Sequence, residues 1–369
     1  MLLVWIDGRA TVLSDTHKSG LEGIGIMRSG RYVSAAIIFA AACGAYPTHA
    51  ADRAIAGLPN IEDMVVAPDH SWIIASSMVG GTQSQGALYL VDVETSKPTR
   101  IALTAAEGTP LCPGGFQPES LAPHGLALRA EGEEWTLYVV NHGGRESIER
   151  FRVKAQGSTL SVRWKDCIPL PKGGFANSVA AAGDGTIFVT NMGQAFKAEE
   201  GETGDLLKWS AETGWQALPG SQQPGWNGII VSKDGNRIYA AAWPDKQVVE
   251  FIRGRSGPVR SVAVDFLPDN LHWADNGTII VAGQDSAAKA ATDCYFSAAT
   301  TCGLNSGIAR LDPGGMRLTC AHKLKAADGF NTATTGIAVK GALWLGAMRG
   351  QSILVTDACA ADVPPRPEE

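Results

Sequence analysis

The chain has 369 residues with a formal charge of −6, and charged residues make up 18% of it. That balance gives no reason to expect nucleic acid or an anionic membrane surface as a partner. Forty-three glycines, many of them in Asp-Gly or Asn-Gly turns, suit an all-β protein that turns often and argue against a long helical domain.

Residues 27–50 have the form of a secretory signal, with Arg28 and Arg31 as a basic start, an apolar run over 33–42 and a small-residue cleavage site at Thr48-His49-Ala50. The first twenty-six residues do not fit such a start, so residues 1–50 read as an extension followed by a signal, with cleavage after Ala50. The apolar run is shorter than the ~20 residues a membrane-spanning helix needs. A retained anchor and lipidation at Cys43 are the alternatives, the second weakened by the residues before Cys43, which make a poor lipobox. Export implies a periplasmic or secreted protein without stable membrane insertion, acting as a monomer or small homo-oligomer on a small molecule. Residues 51–369 then form one domain.

Within that domain one pattern recurs: a polar residue, a short apolar run, a turn and a second apolar run. Glu62-Asp63 precedes the run 64–67, the turn at Asp69-His70 and the run 72–74. His124 precedes 126–128, the turn Glu131-Gly132-Glu133 and 137–140. Asn177 precedes 179–182, Asp184-Gly185 and 187–189, and Asn227 precedes 229–231, the turn 233–236 and 238–242. Asp269-Asn270 precedes 271–273, Asn276-Gly277 and 279–281, and the last copy starts near Thr334-Thr335, turns at Lys340-Gly341 and continues through 343–345. Six copies at irregular spacings of roughly forty to sixty-five residues predict a six-bladed β-propeller, a radial repeat and not a sandwich.

In a propeller the innermost strand of each blade runs along the central channel, so equivalent strand starts converge. Here those starts hold Glu62, His124, Asn177, Asn227 and the pair Asp269-Asn270. Carboxylates and side-chain amides are oxygen donors, which is hard-cation chemistry: calcium accepts six to eight oxygens in an irregular cage, magnesium demands a tight octahedron, and transition metals prefer nitrogen or sulfur. Glu62 and Asp269 balance the charge of one Ca2+, and Asn177, Asn227 and Asn270 fill its shell. A lone Asn at a strand start is ordinarily a turn or cap residue; recurrence at equivalent positions is what points to ligation. One hairpin carries both His124 and His142, so the two rings can meet near the cage, where an imidazole can take up and release protons near neutral pH. His70, His272 and His322 read as structural or surface residues, although His272 stands close enough to Asp269-Asn270 to line the channel.

Six cysteines follow the signal, an even number that suggests disulfides in an exported chain. Six cysteines allow fifteen pairings. Proximity favours Cys294 with Cys302, and Cys112 with Cys167 and Cys320 with Cys359 complete a working assignment; buried free thiols are the alternative. No Cys or His spacing suggests zinc.

Taken in order, Glu62-Asp63, Pro123-His124-Gly125, Val140-Asn141-His142, Asn177, Trp226-Asn227-Gly228-Ile229 and Pro268-Asp269-Asn270 resemble the paraoxonase branch of the paraoxonase, gluconolactonase and strictosidine synthase superfamily. The resemblance runs from about Leu58 to about Gly283 and weakens in the last blade. It implies a calcium-dependent lactonase or arylesterase, with calcium held by Glu62, Asn177, Asn227, Asp269 and Asn270, a water activated by His124 and a proton relayed by His142. It also implies a second, structural calcium, for which Asp63 and the Leu126 carbonyl match two ligands while Ser178 stands where a carboxylate is expected. A further active-site His of that family falls near Gln284 here, so the pocket differs. A sugar-lactone hydrolase of the gluconolactonase type, and a non-catalytic propeller stapled by metal, are the competing readings; the His pair weighs against the first, and a propeller fold alone decides nothing about function.

Overall fold

A computed structural model describes residues 52–360 except 157–158, 194–203 and 328–329, together with the backbone of two short strands near the N-terminus. The signal-like segment, 27–50, lies outside the described residues. The chain divides into two compact units, residues 1–48 and 49–369. In the first, Val4–Ile6 pairs antiparallel with Arg9–Thr11.

The second unit is the predicted six-bladed β-propeller, six antiparallel sheets of four strands. The innermost strands of blades 1 to 6 are Ile61–Val66, Pro123–Glu131, Ala176–Ala181, Trp226–Val231, Leu267–Trp273 and Ala333–Val339, each touching the next around the ring. Blades 1 to 5 are meanders whose strands follow the chain outward. Blade 6 takes its outermost strand from the other end of the domain: Arg53–Ala56 pairs with Ser352–Thr356, with Ile55 opposite Ile353. A four-residue strand has no hairpin partner beside it in the chain, which is why the repeat pattern does not reveal this closure.

Each blade is a layer between two others, so its inner strands are apolar on both faces, and the apolar runs of the sequence are continuous there where a half-exposed strand would alternate. Ile61, Met64 and Ile73 of blade 1 pack against Ile337, Val339 and Trp344 of blade 6. The opposite face of blade 1, Val65, Ile74 and Leu88, packs against Leu126, Leu137 and Phe151 of blade 2. The same arrangement repeats between every neighbouring pair. Fully burying one such Leu, Ile or Phe is worth about 1.5–3 kcal/mol, so the ring is held by the blade interfaces.

Three disulfides join Cys112 to Cys167, Cys294 to Cys302 and Cys320 to Cys359, the working assignment from the sequence. Such bonds persist in oxidising compartments. No described helix is long and apolar enough to cross a membrane. The one α-helix among the described residues, Ala288–Phe296, is inserted between the second and third strands of blade 5, and Arg349 Nη2 donates to the Tyr295 carbonyl near its end.

Candidate metal centre

Every inner strand breaks register with its neighbour at the same level of the channel. The irregularities fall between Ile61 and Asp63, Pro123 and Leu126, Ala176 and Val179, Trp226 and Ile229, Pro268 and Leu271, and Ala333 and Thr335. The residues these bulges release from pairing are Glu62, His124, Asn177, Asn227, Asp269-Asn270 and Thr334. A bulge re-aims its side chains and is common beside active sites; here six of them turn one ring of residues towards the axis.

Glycine makes the approach of adjacent strands geometrically feasible. A Cβ on Gly125, the residue after His124, would stand 2.7 Å from the Asn177 carbonyl oxygen, and one on Gly228, the residue after Asn227, would stand 2.4 Å from the Asp269 carbonyl oxygen. Gly228→Ala therefore has to displace backbone that carries Asp269. Overpacking of this kind costs about 1–3 kcal/mol, and if the strand moves, affinity of the ring for a divalent cation is expected to fall about tenfold or more. Titration calorimetry of the variant checks this; unchanged affinity would show that the strand absorbs the methyl elsewhere.

The ring residues are buried, and their hydrogen bonds are lopsided. Asn270 Nδ2 donates to Glu62 Oε1 at 2.8 Å, Asn177 Nδ2 donates to His124 Nε2 at 3.2 Å, and Asn227 hydrogen-bonds the Asp269 carboxylate. Glu62 Oε2, Asn177 Oδ1, Asn227 Oδ1 and Asn270 Oδ1 are all buried without a hydrogen-bond partner. Buried oxygens are normally paired because an unmet one costs about 1–3 kcal/mol. Four on one ring, each belonging to a group whose other atom is partnered, are the donor set a hard cation uses.

The carboxyls respond to that crowding. Burial, then the charges of Asp63 and Asp269, push Glu62 well above the usual carboxylate range despite the Asn270 hydrogen bond. Burial also pushes Asp269 up to about 7, against the hydrogen bond from Gln284. A carboxyl raised in the folded state binds protons there that the unfolded chain, near pH 3.9, has already released, so stability falls as pH rises between the two values. Metal-free protein is expected to lose stability from about pH 4 to about pH 7, and a divalent cation bound to the ring to restore more at pH 8 than at pH 5. Melting curves at both pH values, with and without calcium, test the sign.

Asp63 departs from the expected ligand set. Its carboxylate receives the Leu126 N–H at 2.8 Å, the Thr335 hydroxyl at 2.8 Å, its neighbour Met64 N–H at 2.8 Å, and His272 Nε2 at 2.6 Å. Protein donors from blades 1, 2, 5 and 6 thus meet both of its oxygens, and Asp63 is a staple below the cage. Leu126 of blade 2 and His272 of blade 5 thereby reach the same carboxylate from different sides of the ring.

His124 and His142 do meet: their rings lie 5.1 Å apart, edge to face. Glu146 Oε2 is 2.9 Å from His142 Nδ1, and Phe175 stacks on the His142 ring at 4.4 Å. Burial, then the neighbouring His142, hold His124 well below the usual imidazole range. Above this floor lies a narrow pocket, a cavity of about 40 Å3, whose walls include Met78, Met192, Met348, Trp243, Thr292 and Tyr295. Burial, then the charge of Glu62, push the Tyr295 phenol up to about 12, so it stays protonated as a donor. Glu146, Gln284 and Tyr295 were not identified from the repeats as site residues, because none occupies a strand start; Glu146 and Tyr295 lie in loop or helix segments whose position only the fold sets.

Residues 77–335 match the family model described as the SMP-30/Gluconolactonase/LRE-like region. The chain belongs to this family. The matched span contains every ring residue from His124 to Thr334 and begins after Glu62. Among solved structures, a luciferin-regenerating enzyme superposes with a TM-score of 0.54 at 11% identity, over 84% of this chain and 95% of its own. The calcium-binding protein regucalcin from Agrobacterium tumefaciens gives a TM-score of 0.50 at 11% identity, over 84% of this chain and 95% of its own. At such identity these likenesses concern the fold. No curated protein sequence matches the chain. Family membership carries lactone-hydrolase activity of the gluconolactonase kind as the coarse expectation for the pocket.

Proposed function

We propose that this chain is a calcium-dependent hydrolase of lactones and aryl esters, working on substrates with an apolar acyl or aryl part. The observation that carries the reading is the ring of four unpartnered buried oxygens on Glu62, Asn177, Asn227 and Asn270 beside the Asp269 carboxylate. Glu62, Asn177, Asn227, Asp269 and Asn270 would hold the ion, and the two carboxylates would balance its charge. When bound, a calcium ion supplies Lewis-acid polarisation of a carbonyl.

The chain's own residues supply the rest. His124 is buried at the cage with its Nε2 3.5 Å from Glu62 Oε1, and its depressed basicity keeps it neutral, able to take a proton from an attacking water. Glu146 on His142 Nδ1 fixes the tautomer that leaves His142 Nε2 a lone pair, and that nitrogen is buried and unpartnered. The second ring is therefore set to receive the proton His124 collects. The chain has no Gly-x-Ser-x-Gly elbow, in keeping with direct attack by water.

A sugar lactone is the second reading, favoured by the family's own description. The walls oppose it. Three methionines and Trp243 offer a polyhydroxylated ring few partners, whereas they suit an alkyl chain or aromatic ring.

Hydrolysis of a γ-lactone, a long-chain acyl homoserine lactone, gluconolactone and phenyl acetate, with EDTA and with calcium restored, tests the proposal. Calcium-dependent turnover of the apolar substrates ahead of gluconolactone is expected. Preference for gluconolactone would favour the second reading, and no turnover despite a calcium-raised melting temperature would leave a metal-stapled binding propeller.

A further inference from the structure

Gln284 lies on the second strand of blade 5, Ile279–Asp285, opposite Leu267 across the bulge that carries Asp269. Its side chain is fully buried and makes three short hydrogen bonds. Nε2 donates to Asp269 Oδ2 at 2.6 Å and to the Ala333 carbonyl at 2.7 Å, while Oε1 accepts from Trp243 Nε1 at 2.8 Å. The orientation of this amide follows from its partners. An indole N–H can only donate, and a carboxylate and a carbonyl can only accept, so a flipped amide would lose all three bonds.

Its three partners sit on three blades and belong to different parts of the site. Asp269 is on the floor among the cage residues, Ala333 begins the inner strand of blade 6, and Trp243 follows the second strand of blade 4, Arg237–Ala242, and lines the pocket wall. A shift of the Asp269 carboxylate thus pulls on the amide, and the amide can follow only by turning the indole.

We infer that Gln284 is the positioning residue that couples the metal ligand Asp269 to the wall residue Trp243. The inference rests on the proposed metal site. Filling the cage fixes Asp269, which through Gln284 fixes the indole against which substrate packs, and because coupling between two sites is reciprocal, removing the indole N–H loosens the ion. Gln284 is absent from the strand-start pattern because it lies on a second strand, yet it is as deeply buried as any ring residue.

Fluorine NMR of protein labelled with 5-fluorotryptophan tests this, the Trp243 resonance being assigned as the one lost in Trp243→Phe. Calcium addition is expected to move that resonance in the wild type. In Gln284→Leu the calcium-induced shift disappears, calcium Kd by calorimetry rises about tenfold, in the range found for removing a residue that orients a metal ligand, and KM for a bulky ester rises more than kcat falls. If Gln284→Leu does not fold, Trp243→Phe carries the test, because it removes the indole N–H and leaves Gln284 and Asp269 in place; its calcium affinity is expected to fall severalfold. Calcium binding with a static Trp243 resonance, or wild-type calcium affinity in Trp243→Phe, overturns the coupling and leaves the metal site standing. Absence of calcium binding by the wild type overturns both.

Discussion

Glu62→Gln is expected to reverse its effect on stability according to whether calcium is present. The substitution preserves shape and the acceptor for Asn270 Nδ2 but removes one of two carboxylates facing the ion, so affinity should fall by at least the ~10–100-fold seen when an outer partner of a metal ligand is removed. A ligand at a thousand times its Kd stabilises the fold by about 4.1 kcal/mol, and at ten times its Kd by about 1.4 kcal/mol. With calcium, the variant should therefore melt several degrees below the wild type. Without it, the order inverts, because the wild type then keeps a fully buried carboxyl beside Asp63 and Asp269, whose burial and like-charged neighbours already push it well above its ordinary range. Melting curves of both proteins in EDTA and in calcium check both signs at once. A variant less stable in both conditions would mean that Glu62 serves the fold and not an ion.

His124→Gln separates chemistry from binding. General-base catalysis contributes about 10²–10⁴-fold, and kcat for a lactone or aryl ester should drop by that amount. Metal affinity should hardly change: the Gln amide oxygen can still accept from Asn177 Nδ2, so the Asn177 oxygen keeps its direction. The melting temperature in calcium should stay near that of the wild type for the same reason. His142→Gln should cost less, since it leaves the ring beside the cage in place and removes only the acceptor held by Glu146. Full activity in His124→Gln would exclude water activation by this residue and direct attention to Asp269, a carboxyl that lines the same pocket floor and is pushed by burial up to about 7.

The amino-acid sequence by itself determined the blade count and the channel ring. Repeated runs that are apolar on both faces, broken by Asp-Gly and Asn-Gly turns, can be buried only as stacked hairpins, and residues at equivalent strand starts are brought together by radial symmetry. Glu62, His124, Asn177, Asn227, Asp269 and Asn270 were legible for that reason, as was the nearest cysteine pair. Direction along a strand was not. Glu62 and Asp63 are neighbours in the chain, and only the bulge between Ile61 and Asp63 decides that one carboxylate keeps an unpartnered oxygen while the other is taken up by Leu126, His272 and Thr335. The partners that orient the site were equally hidden, because Glu146, Gln284, Trp243 and Tyr295 occupy no repeated position and reach it across blades or from the inserted helix. A periodic pattern records which face of a strand is buried; which buried polar atoms find partners depends on distances between segments far apart in the chain, and those exist only once the ring has closed.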